Sequence, residues 1–503
     1  MQKYLAVCFL FSPLVVFFSL AKPWGLETDF WDTAAAVREL SVRPFHPSHP
    51  LLSLPAQFSP RFNPYTLFWG LIKQATRLDI FTTMGLAGIT NFVIFMTGLF
   101  LFVSDKFKNR SLPVYAFLTM LWVWGSGYGH SNAYHLEMLL ITLPYASFFA
   151  FGLSLNALYF LNRYITGSRW HDLLFYAATS ALAFVSHPVT GCFCYLAALA
   201  VLLENGNWKT LISLQGVPLL ALGGALLWPY FSYWDLFTKN SVITTLRSPL
   251  FSRQIQALGP ALIGVPIVIF YASRKRYSFI LIGLVLCSLF YGFSFLGNIQ
   301  IGARFILFAV FFLHLGIALY LAEAKVSRLS ELQKSFHADG ALLFLLFVLL
   351  VIPVPFRVGG MAGLLFPDGH IRLHGYASPV KPYLFLSRHL TGGDVVLASD
   401  WQEGFLLPAI TGCRIIEPRN SFTLLIKEES LQRKKDVAAF FQGPLTLEER
   451  IEFLRRYRAT HILVDLKDEP SWHVSFKESL GVIGTEIARD GAVILYRTRL
   501  LAD

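Results

Sequence analysis

Charged side chains are scarce in this chain of 503 residues, where Asp, Glu, Lys and Arg together make up 15%. Ordinary globular proteins carry about 25%. Hydrophobic residues reach 55% and mean hydropathy is +0.54, so long stretches of the chain have too little charge to face water. This composition excludes a disordered protein, a coiled coil and a soluble multidomain enzyme, and it indicates a membrane protein.

Cysteine is also rare, with five residues in the chain. Cys8, Cys192, Cys194 and Cys287 lie in apolar runs, and Cys413 stands apart from them. Their spacing matches neither a metal site nor a disulfide framework, which excludes a small secreted scaffold. The net charge is +11, but the basic residues lie largely in short loops between apolar runs. Such residues fix membrane topology and contact anionic lipid headgroups, so we expect no nucleic-acid partner.

Apolar runs predict about eleven membrane-spanning helices, since a helix needs about 20 apolar residues to cross a bilayer. The first run also fits a cleaved signal peptide, because Lys3 precedes it and Ser19-Leu20-Ala21 ends it, and this alternative stays open. The predicted spans are approximately 4–20, 84–103, 112–124, 135–161, 173–186, 192–203, 211–230, 260–271, 279–296, 305–322 and 341–355.

The basic loops orient these predicted spans. If the chain crosses the membrane eleven times, four Lys- and Arg-rich segments fall on one side, namely 105–110, 163–169, 273–276 and 325–334. By the positive-inside rule that side is the cytoplasm. The long first loop, 21–81, and the segment after residue 356 then lie outside the cytoplasm.

The C-terminal segment has a different character. Between residues 392 and 500 charges are frequent, and short β-branched runs alternate with amphipathic stretches. This pattern predicts a small soluble α/β domain. We therefore divide the chain into a multi-pass transmembrane module, 1–360, and an extracytoplasmic α/β domain, 361–503. The expected strands are 394–398, 413–416, 461–464 and 491–496, and the expected helices are 403–410 and 447–457.

The first outer loop contains two closely spaced acids. Asp29 and Asp32 are three residues apart, so both carboxylates share one face if residues 28–40 form a helix at the membrane surface. The alternative is that Thr28 or Asp29 only caps this helix and Asp32 is a first-turn charge. About sixty residues are more than a tether between two spans needs, which favours a binding or catalytic loop.

Two histidines follow in the same loop. His46 and His49 flank prolines in an extended segment, where they are candidates to shape an acceptor groove. Two histidines without a third ligand do not make a zinc site.

With these features the chain resembles the GT-C superfamily of integral membrane glycosyltransferases. The matching residues are Asp29-Phe30-Trp31-Asp32 in the first loop and Asn63-Pro64-Tyr65, where the chain is expected to re-enter the membrane. The resemblance covers the architecture of most of the chain, but its motifs are short. It therefore points to a superfamily and not to a substrate.

The resemblance implies inverting transfer of a sugar from a polyprenyl-phosphate donor to a lipid, glycan or protein acceptor on the outer face. It implies a first-loop aspartate as general base, here Asp29 with Asp32 as the alternate. A lipid phosphate already leaves readily, so the reaction needs mainly a base at the acceptor hydroxyl and a cation for the departing charge. The candidate cations are Arg61, Arg304 and Lys22, with interfacial snorkelling as the alternative for Arg304.

A second polar cluster, at 129–137, contains residues that could bind a metal cofactor. In some relatives of the superfamily an acid of the second outer loop helps to bind a divalent metal. The candidates here are His130, His135 and Glu137, for which a structural or hydrogen-bonding role is the alternative. His187, in a turn between two apolar runs, is a candidate to orient acceptor or phosphate, or a plain turn residue.

These features together predict a glycosyltransferase of the bacterial inner membrane, with its C-terminal domain in the periplasm. Two other functions stay open. A transporter or flippase of lipid-linked sugars should line a path through the bilayer with ionisable residues, whereas here such residues gather at the outer surface. A glycan polymerase or ligase would use a lipid-linked oligosaccharide as donor, and the length of its product would identify it.

Overall fold

A computed structural model of the chain describes most of its residues. These are 2–21, 29–53, 59–125, 131–206, 210, 214, 216–233, 249–252, 254–274, 276–331, 380–399, 401–417 and 427–499.

Helices make up most of the described part. In chain order they are α1 Gln2–Ala21, α2 Phe30–Val42, α3 Pro64–Thr76, α4 Ile80–Phe107, α5 Leu112–Trp122, α6 Leu136–Thr142, α7 Ala146–Gly167, α8 Trp170–Ser186, α9 Pro188–Asn205, α10 Gly216–Leu226, α11 Gln254–Leu258, α12 Gly264–Ser273, α13 Ser278–Leu296, α14 Phe305–Glu331, α15 Trp401–Thr411, α16 Lys427–Gln442, α17 Leu447–Tyr457 and α18 Val474–Ile483. Short 3-10 helices cover Pro249–Phe251, Gly259–Ile263, Gln300–Arg304, Lys381–Arg388 and Leu466–Ser471.

Local sequence explains where several of these helices begin. Asn63 and Thr66 form a reciprocal capping box at α3, whose first residue is a proline. Thr446 and Glu449 form the same arrangement at α17. In each box a side chain accepts a hydrogen bond from a backbone N–H that has no partner inside the helix, which stabilises the helix end by about 1 kcal/mol.

The chain forms two compact units. The first unit comprises Met1–Ser19, Gly85–Leu227 and Ile243–Arg372, and the second comprises Leu20–Met84, Trp228–Val242 and Leu373–Asp503. The first loop and the C-terminal segment are therefore parts of the same unit. The predicted domain boundary near residue 360 lies outside the described residues.

The first unit has the character of a membrane protein. Within the described residues, five helices are long and apolar enough to cross a membrane, or six if the bent pair α6 and α7 is one span. The predicted span at 341–355 lies outside these residues, and each other predicted span overlaps a helix. A multi-pass helical architecture is thus supported, while the total of about eleven spans stays a prediction.

One predicted span has a different shape. The apolar run at 135–161 forms α6 and α7, which meet at an angle of 105°. Pro144 lies at the break. Proline has no backbone N–H and its ring clashes with the preceding turn, so a helix does not continue straight through it.

Small residues allow the helices of the first unit to pack closely. A Cβ on Gly152 would lie 2.9 Å from the backbone nitrogen of Phe95, and one on Gly264 would lie 2.8 Å from the Cβ of Leu313. In a lipid environment, helices associate through such close contacts rather than through removal of apolar surface from water. Any larger residue at these two positions would force the helices apart.

The second unit contains a mixed five-stranded sheet. Its strands are β1 Val395–Ala398, β2 Arg414–Ile415, β3 His461–Asp465, β4 Gly484–Asp490 and β5 Val493–Thr498, in the spatial order β2-β1-β3-β5-β4. Strand β1 runs parallel to β2 and β3, whereas β5 is antiparallel to β3 and β4. The C-terminal α/β character predicted from the sequence is confirmed. The sequence interpretation missed α16, α18 and β4.

Candidate functional site

The two acids of the first loop lie at the beginning of α2. Asp29 is the residue before the helix, but its side chain makes no capping hydrogen bond to it. Its backbone carbonyl instead accepts hydrogen bonds from the backbone nitrogen of Thr33 at 3.3 Å and from the Thr33 hydroxyl at 3.0 Å. The helix end is therefore stabilised without the Asp29 carboxylate, which disfavours capping as the role of this acid.

The carboxylates of both acids face the same arginine. Arg61 Nη2 lies 3.0 Å from Asp32 Oδ2 and 3.7 Å from Asp29 Oδ2. The Asp32 side chain is 3% exposed, against 28% for Asp29 and 20% for Arg61. The spacing of three residues thus places both acids at one point, with Asp32 beneath and Asp29 nearer to solvent.

The turn before α3 holds Arg61 in place. The Thr66 hydroxyl donates to the Arg61 carbonyl at 2.6 Å, and the Arg61 backbone N–H donates to the Ser59 hydroxyl at 3.2 Å. Thr66 also belongs to the capping box of α3. Asn63-Pro64-Tyr65, which matched the superfamily in the sequence, therefore begins the helix that fixes this arginine.

A second polar cluster lies in the first unit. His187 Nδ1 accepts a hydrogen bond from the backbone nitrogen of Thr190 at 3.3 Å and lies 2.8 Å from the Thr190 hydroxyl. The side-chain amide of Asn132 donates to that same hydroxyl at 3.2 Å. Beside it in sequence, the Ser131 hydroxyl accepts from Arg304 Nη1 at 3.2 Å. We call these five residues the histidine–arginine cluster.

Two of its members were predicted site residues. His187 is the N-cap of α9, which agrees with its expected place in a turn between two apolar runs. Arg304 ends the 3-10 helix Gln300–Arg304 just before α14. The sequence interpretation had not connected them, and their link passes through Ser131, Asn132 and Thr190.

Two of the three predicted metal candidates, His135 and Glu137, lie in the described part of the chain. His130 lies outside the described residues, as does the candidate cation Lys22. His135 is buried, and its Nδ1 accepts a hydrogen bond from the backbone nitrogen of Met138 at the start of α6. In the part of the chain that the structure describes, no group of three His, Cys, Asp or Glu residues could hold a metal ion. Because His130 is not among these residues, a divalent metal stays a prediction, and we derive no step through one.

The two histidines of the first loop differ in their surroundings. His46 is exposed, whereas His49 is 2% exposed and its Nδ1 accepts hydrogen bonds from the backbone nitrogens of Leu51 and Leu52, at 3.2 and 3.0 Å. Burial, assisted by nearby Arg414 and Arg433, lowers the pKa of His49 to about 3. His49 is therefore a neutral residue that shapes the turn. A role of either histidine in an acceptor groove stays a prediction.

The site also contains residues that the sequence interpretation did not single out. Glu39, on α2, pairs with Arg414 of the C-terminal segment in a contact where both side chains are about nine-tenths buried. This pairing was not predicted, because the two residues are 375 positions apart in the chain. One signal in the sequence could have indicated Glu39. It is a charged residue two helical turns after Asp32, on the same helix as the acid pair.

Comparisons with known proteins support the same architecture. No protein-family model and no curated protein sequence matches the chain. Solved structures with a similar fold include three of the oligosaccharyltransferase of the archaeon Archaeoglobus fulgidus, each aligned over 93% of this chain and 70% of the other. The complex of AglB with an inhibitory peptide and a dolichol-phosphate gives a TM-score of 0.54 at 11% identity. The apo form gives 0.54 at 12%, and the form tethered to an acceptor peptide containing the NVT sequon gives 0.57 at 11%.

At such low sequence identity the likeness concerns the fold. The chain has a fold similar to that of this archaeal oligosaccharyltransferase, in agreement with the resemblance seen in the sequence.

Proposed function

We propose that this protein is an integral membrane glycosyltransferase that moves a sugar from a polyprenyl-phosphate donor to an acceptor outside the cytoplasm. One observation carries the proposal. In a chain with a GT-C fold, two carboxylates at the start of α2 converge on Arg61, with one of them partly open to solvent. One of the similar structures, that of archaeal AglB, contains a dolichol-phosphate, which supports a lipid-phosphate donor.

Asp29 is the better candidate for the general base. A base must reach the proton that it removes, and the Asp29 side chain is 28% exposed while that of Asp32 is 3% exposed. Asp32, with the shorter contact to Arg61, is suited to fix the arginine so that the Asp29 carboxylate keeps one orientation. We therefore assign Asp29 to proton transfer and Asp32 to positioning.

The proposed reaction is a single displacement. The acceptor hydroxyl gives its proton to Asp29 and its oxygen attacks the anomeric carbon of the sugar. The bond between that carbon and the phosphate oxygen breaks, and the lipid phosphate leaves with the electron pair. Because attack and departure occur on opposite faces, the anomeric configuration inverts. One carboxylate is sufficient for this chemistry.

The departing phosphate requires a positive partner. Arg304 is our candidate, because a guanidinium binds two phosphate oxygens at once and this arginine, which donates to the Ser131 hydroxyl, is only partly buried. His187 is the second candidate of the same cluster. The membrane-embedded helices would hold the polyprenyl chain.

A second function is favoured by the comparisons. The similar structures are oligosaccharyltransferases, and one was solved with a tethered acceptor peptide. The donor of this protein would then be a lipid-linked oligosaccharide and the acceptor a peptide or a glycan. The two candidates share Asp29, Arg61 and Arg304, and product length separates them.

The test compares Asp29→Asn with Asp32→Asn in the purified full-length protein in detergent. The probes are undecaprenyl phosphates that carry one radiolabelled hexose or pentose, and the measured quantity is label transferred from the lipid to an acceptor. We expect Asp29→Asn to lower transfer at least about 1,000-fold, since it removes the base but preserves the shape of the side chain. Asp32→Asn should retain more activity.

Two results would contradict the proposal. Wild-type turnover by both variants would remove the catalytic assignment of the acids. Movement of intact labelled lipid across a vesicle membrane without any transfer would identify a flippase.

A further inference from the structure

Helix α2 carries the acid pair at its first turn and a second set of charged residues two turns later. Arg38 and Glu39 lie on this second part, and both contact the C-terminal segment within the same compact unit. The position of the acids therefore depends on what holds the far end of their helix. We call Arg38, Glu39 and Arg414 the α2 clamp.

Arg38 binds the C-terminal end of α15. Its guanidinium donates hydrogen bonds to the carbonyls of Ile410 and Thr411, at 2.6 and 2.9 Å, and lies 3.3 Å from that of Ala409. The last carbonyls of a helix have no partner within the helix and carry partial negative charge, so a partly buried cation there is favourable. Burial lowers the pKa of Arg38, but an arginine stays charged.

Gly412 provides the space for this contact. Its φ is +87°, and a Cβ at this position would lie 3.0 Å from Arg38 Nε. Any other residue would both strain the backbone and push the guanidinium away.

The second part of the clamp is a buried ion pair. Arg414 Nη2 donates to Glu39 Oε2 at 2.5 Å, and the side chains are 9% and 10% exposed. The other Glu39 oxygen accepts from the backbone nitrogen of Ser48 at 2.8 Å, and Arg414 Nη1 donates to the carbonyl of Gly412 at 2.9 Å. Both charges are thus held by further hydrogen bonds, which a buried pair needs in order to be favourable.

Backbone pairing continues the clamp along the first loop. The backbone nitrogen of Ile415, in edge strand β2, donates to the carbonyl of Leu51 at 2.7 Å, and Leu52 pairs with Ile415 in a parallel bridge. His49 forms the turn that presents these two leucines. The first loop therefore covers one edge of the C-terminal sheet.

On another side, α2 packs directly on α3, the helix that follows Arg61. A Cβ on Gly70 would lie 2.8 Å from the Cβ of Leu40. Helix α2 is held by α3 and by the clamp, so the first turn with the acids has little freedom to shift.

We infer that Arg38, Glu39 and Arg414 are positioning residues, through which the C-terminal segment sets the place of Asp29 and Asp32 for glycosyl transfer. The inference rests on the proposed function for its consequence in catalysis. The contacts of the three residues described above are with α15, Gly412, Ser48 and each other, and two of the three lie on α2 itself, so we place their effect on the acids in this helix. A displacement of about 1 Å at a reacting group can lower a rate about 100-fold. Contacts that fix the position of α2 can therefore affect the rate of transfer even though they lie away from the acids.

The experiment uses Glu39→Gln, Arg414→Met and the double variant in the full-length protein. We expect each to lower kcat for the labelled donor about 10- to 100-fold and to change its KM less than twofold. The double variant should be no slower than the worse single variant, because both break one pair. Arg414→Lys, which keeps the charge, should restore part of the rate. The matched control is Glu486→Gln with Arg489→Met, an exposed ion pair of the same unit at 2.8 Å, which should leave kcat unchanged.

A second measurement does not need activity. Hydrogen–deuterium exchange of the amides in residues 30–36 should become at least tenfold faster in Glu39→Gln and Arg414→Met than in the control. Exchange and kcat both at wild-type values would overturn the inference. Faster exchange in a protein whose wild type transfers no sugar would support the clamp while refuting the proposed function, so the two failures are distinguishable.

Discussion

The acid pair and the histidine–arginine cluster hold their polar side chains in different ways. In the acid pair, opposite charges touch directly, and Asp32 is almost fully buried against Arg61 at 3.0 Å. In the cluster, neutral donors and acceptors such as Asn132 and Thr190 are linked by hydrogen bonds, and a single cation, Arg304, lies at its margin. A buried carboxylate that loses its cation costs several kcal/mol, whereas a partly exposed arginine can lose its partner at little cost.

This contrast predicts that stability and the proposed sugar transfer are coupled at the acid pair and separable at the histidine–arginine cluster. Substitutions at the acid pair should disturb both folding and transfer. Substitutions at Arg304 should change substrate binding and leave folding nearly unaffected.

The largest effect is expected from Arg61→Met. It removes the arginine from a carboxylate whose side chain is 3% exposed, so we expect a loss of about 3 kcal/mol in the free energy of unfolding of this unit. Transfer should also become undetectable, because the acids lose their common partner. Denaturant titration in detergent and the transfer assay measure the two quantities.

Arg61→Lys is the control and should recover part of the stability. Unchanged unfolding in Arg61→Met would show that the ion pair does not stabilise the fold.

A smaller effect, confined to binding, is expected from Arg304→Met. Loss of a charged hydrogen bond to phosphate is worth about 1.5–3 kcal/mol, so KM for the labelled undecaprenyl donor should rise about 10- to 100-fold. The free energy of unfolding should change less than in Arg61→Met, because Arg304 is only partly buried and its hydrogen bond to Ser131 is to a neutral hydroxyl. Arg304→Lys should lie between Met and wild type. An unchanged KM would favour interfacial snorkelling as the role of this arginine.

The smallest effect concerns pH and His49. Its pKa is lowered to about 3 in the folded protein and is about 6.5 when unfolded, so the unfolded chain binds the extra proton first. The contribution of His49 to the free energy of unfolding is therefore fully present above pH 6.5. It decreases as the pH falls below 6.5, by at most about 1.4 kcal/mol per pH unit. His49→Asn should flatten the decline in unfolding free energy between pH 6.5 and 5. His46→Asn, at an exposed position of the same loop, controls for the substitution itself. An equal slope in wild type and His49→Asn would refute the prediction.

Local sequence was sufficient for several elements. The helix predicted at 447–457 begins and ends at those residues, because Thr446 and Glu449 cap it and its apolar residues recur with helical spacing. The predicted strands at 394–398 and 461–464 correspond to β1 and β3 within one residue at each end. In these segments the capping residues and the apolar pattern of the sequence indicated the same element that the structure contains.

Other features were not predicted from the sequence. Residues 135–161 were interpreted as one apolar span, although Pro144 was a visible signal for the break that divides them into two helices. Helix α16, Lys427–Gln442, carries many charges, and its apolar side is defined by the sheet on which it packs. His49 is buried and accepts backbone hydrogen bonds in a turn, which its sequence position did not indicate, while its predicted place in an acceptor groove stays a prediction.

The sequence alone indicated helices long and apolar enough to cross a membrane, a C-terminal α/β segment and two acids one helical turn apart, because composition and periodicity are local properties. The tertiary structure decided that Arg61 joins those acids, and that Glu39 and Arg414 meet across 375 residues. Such contacts depend on how distant segments pack to satisfy buried charges, and no spacing along the chain encodes them.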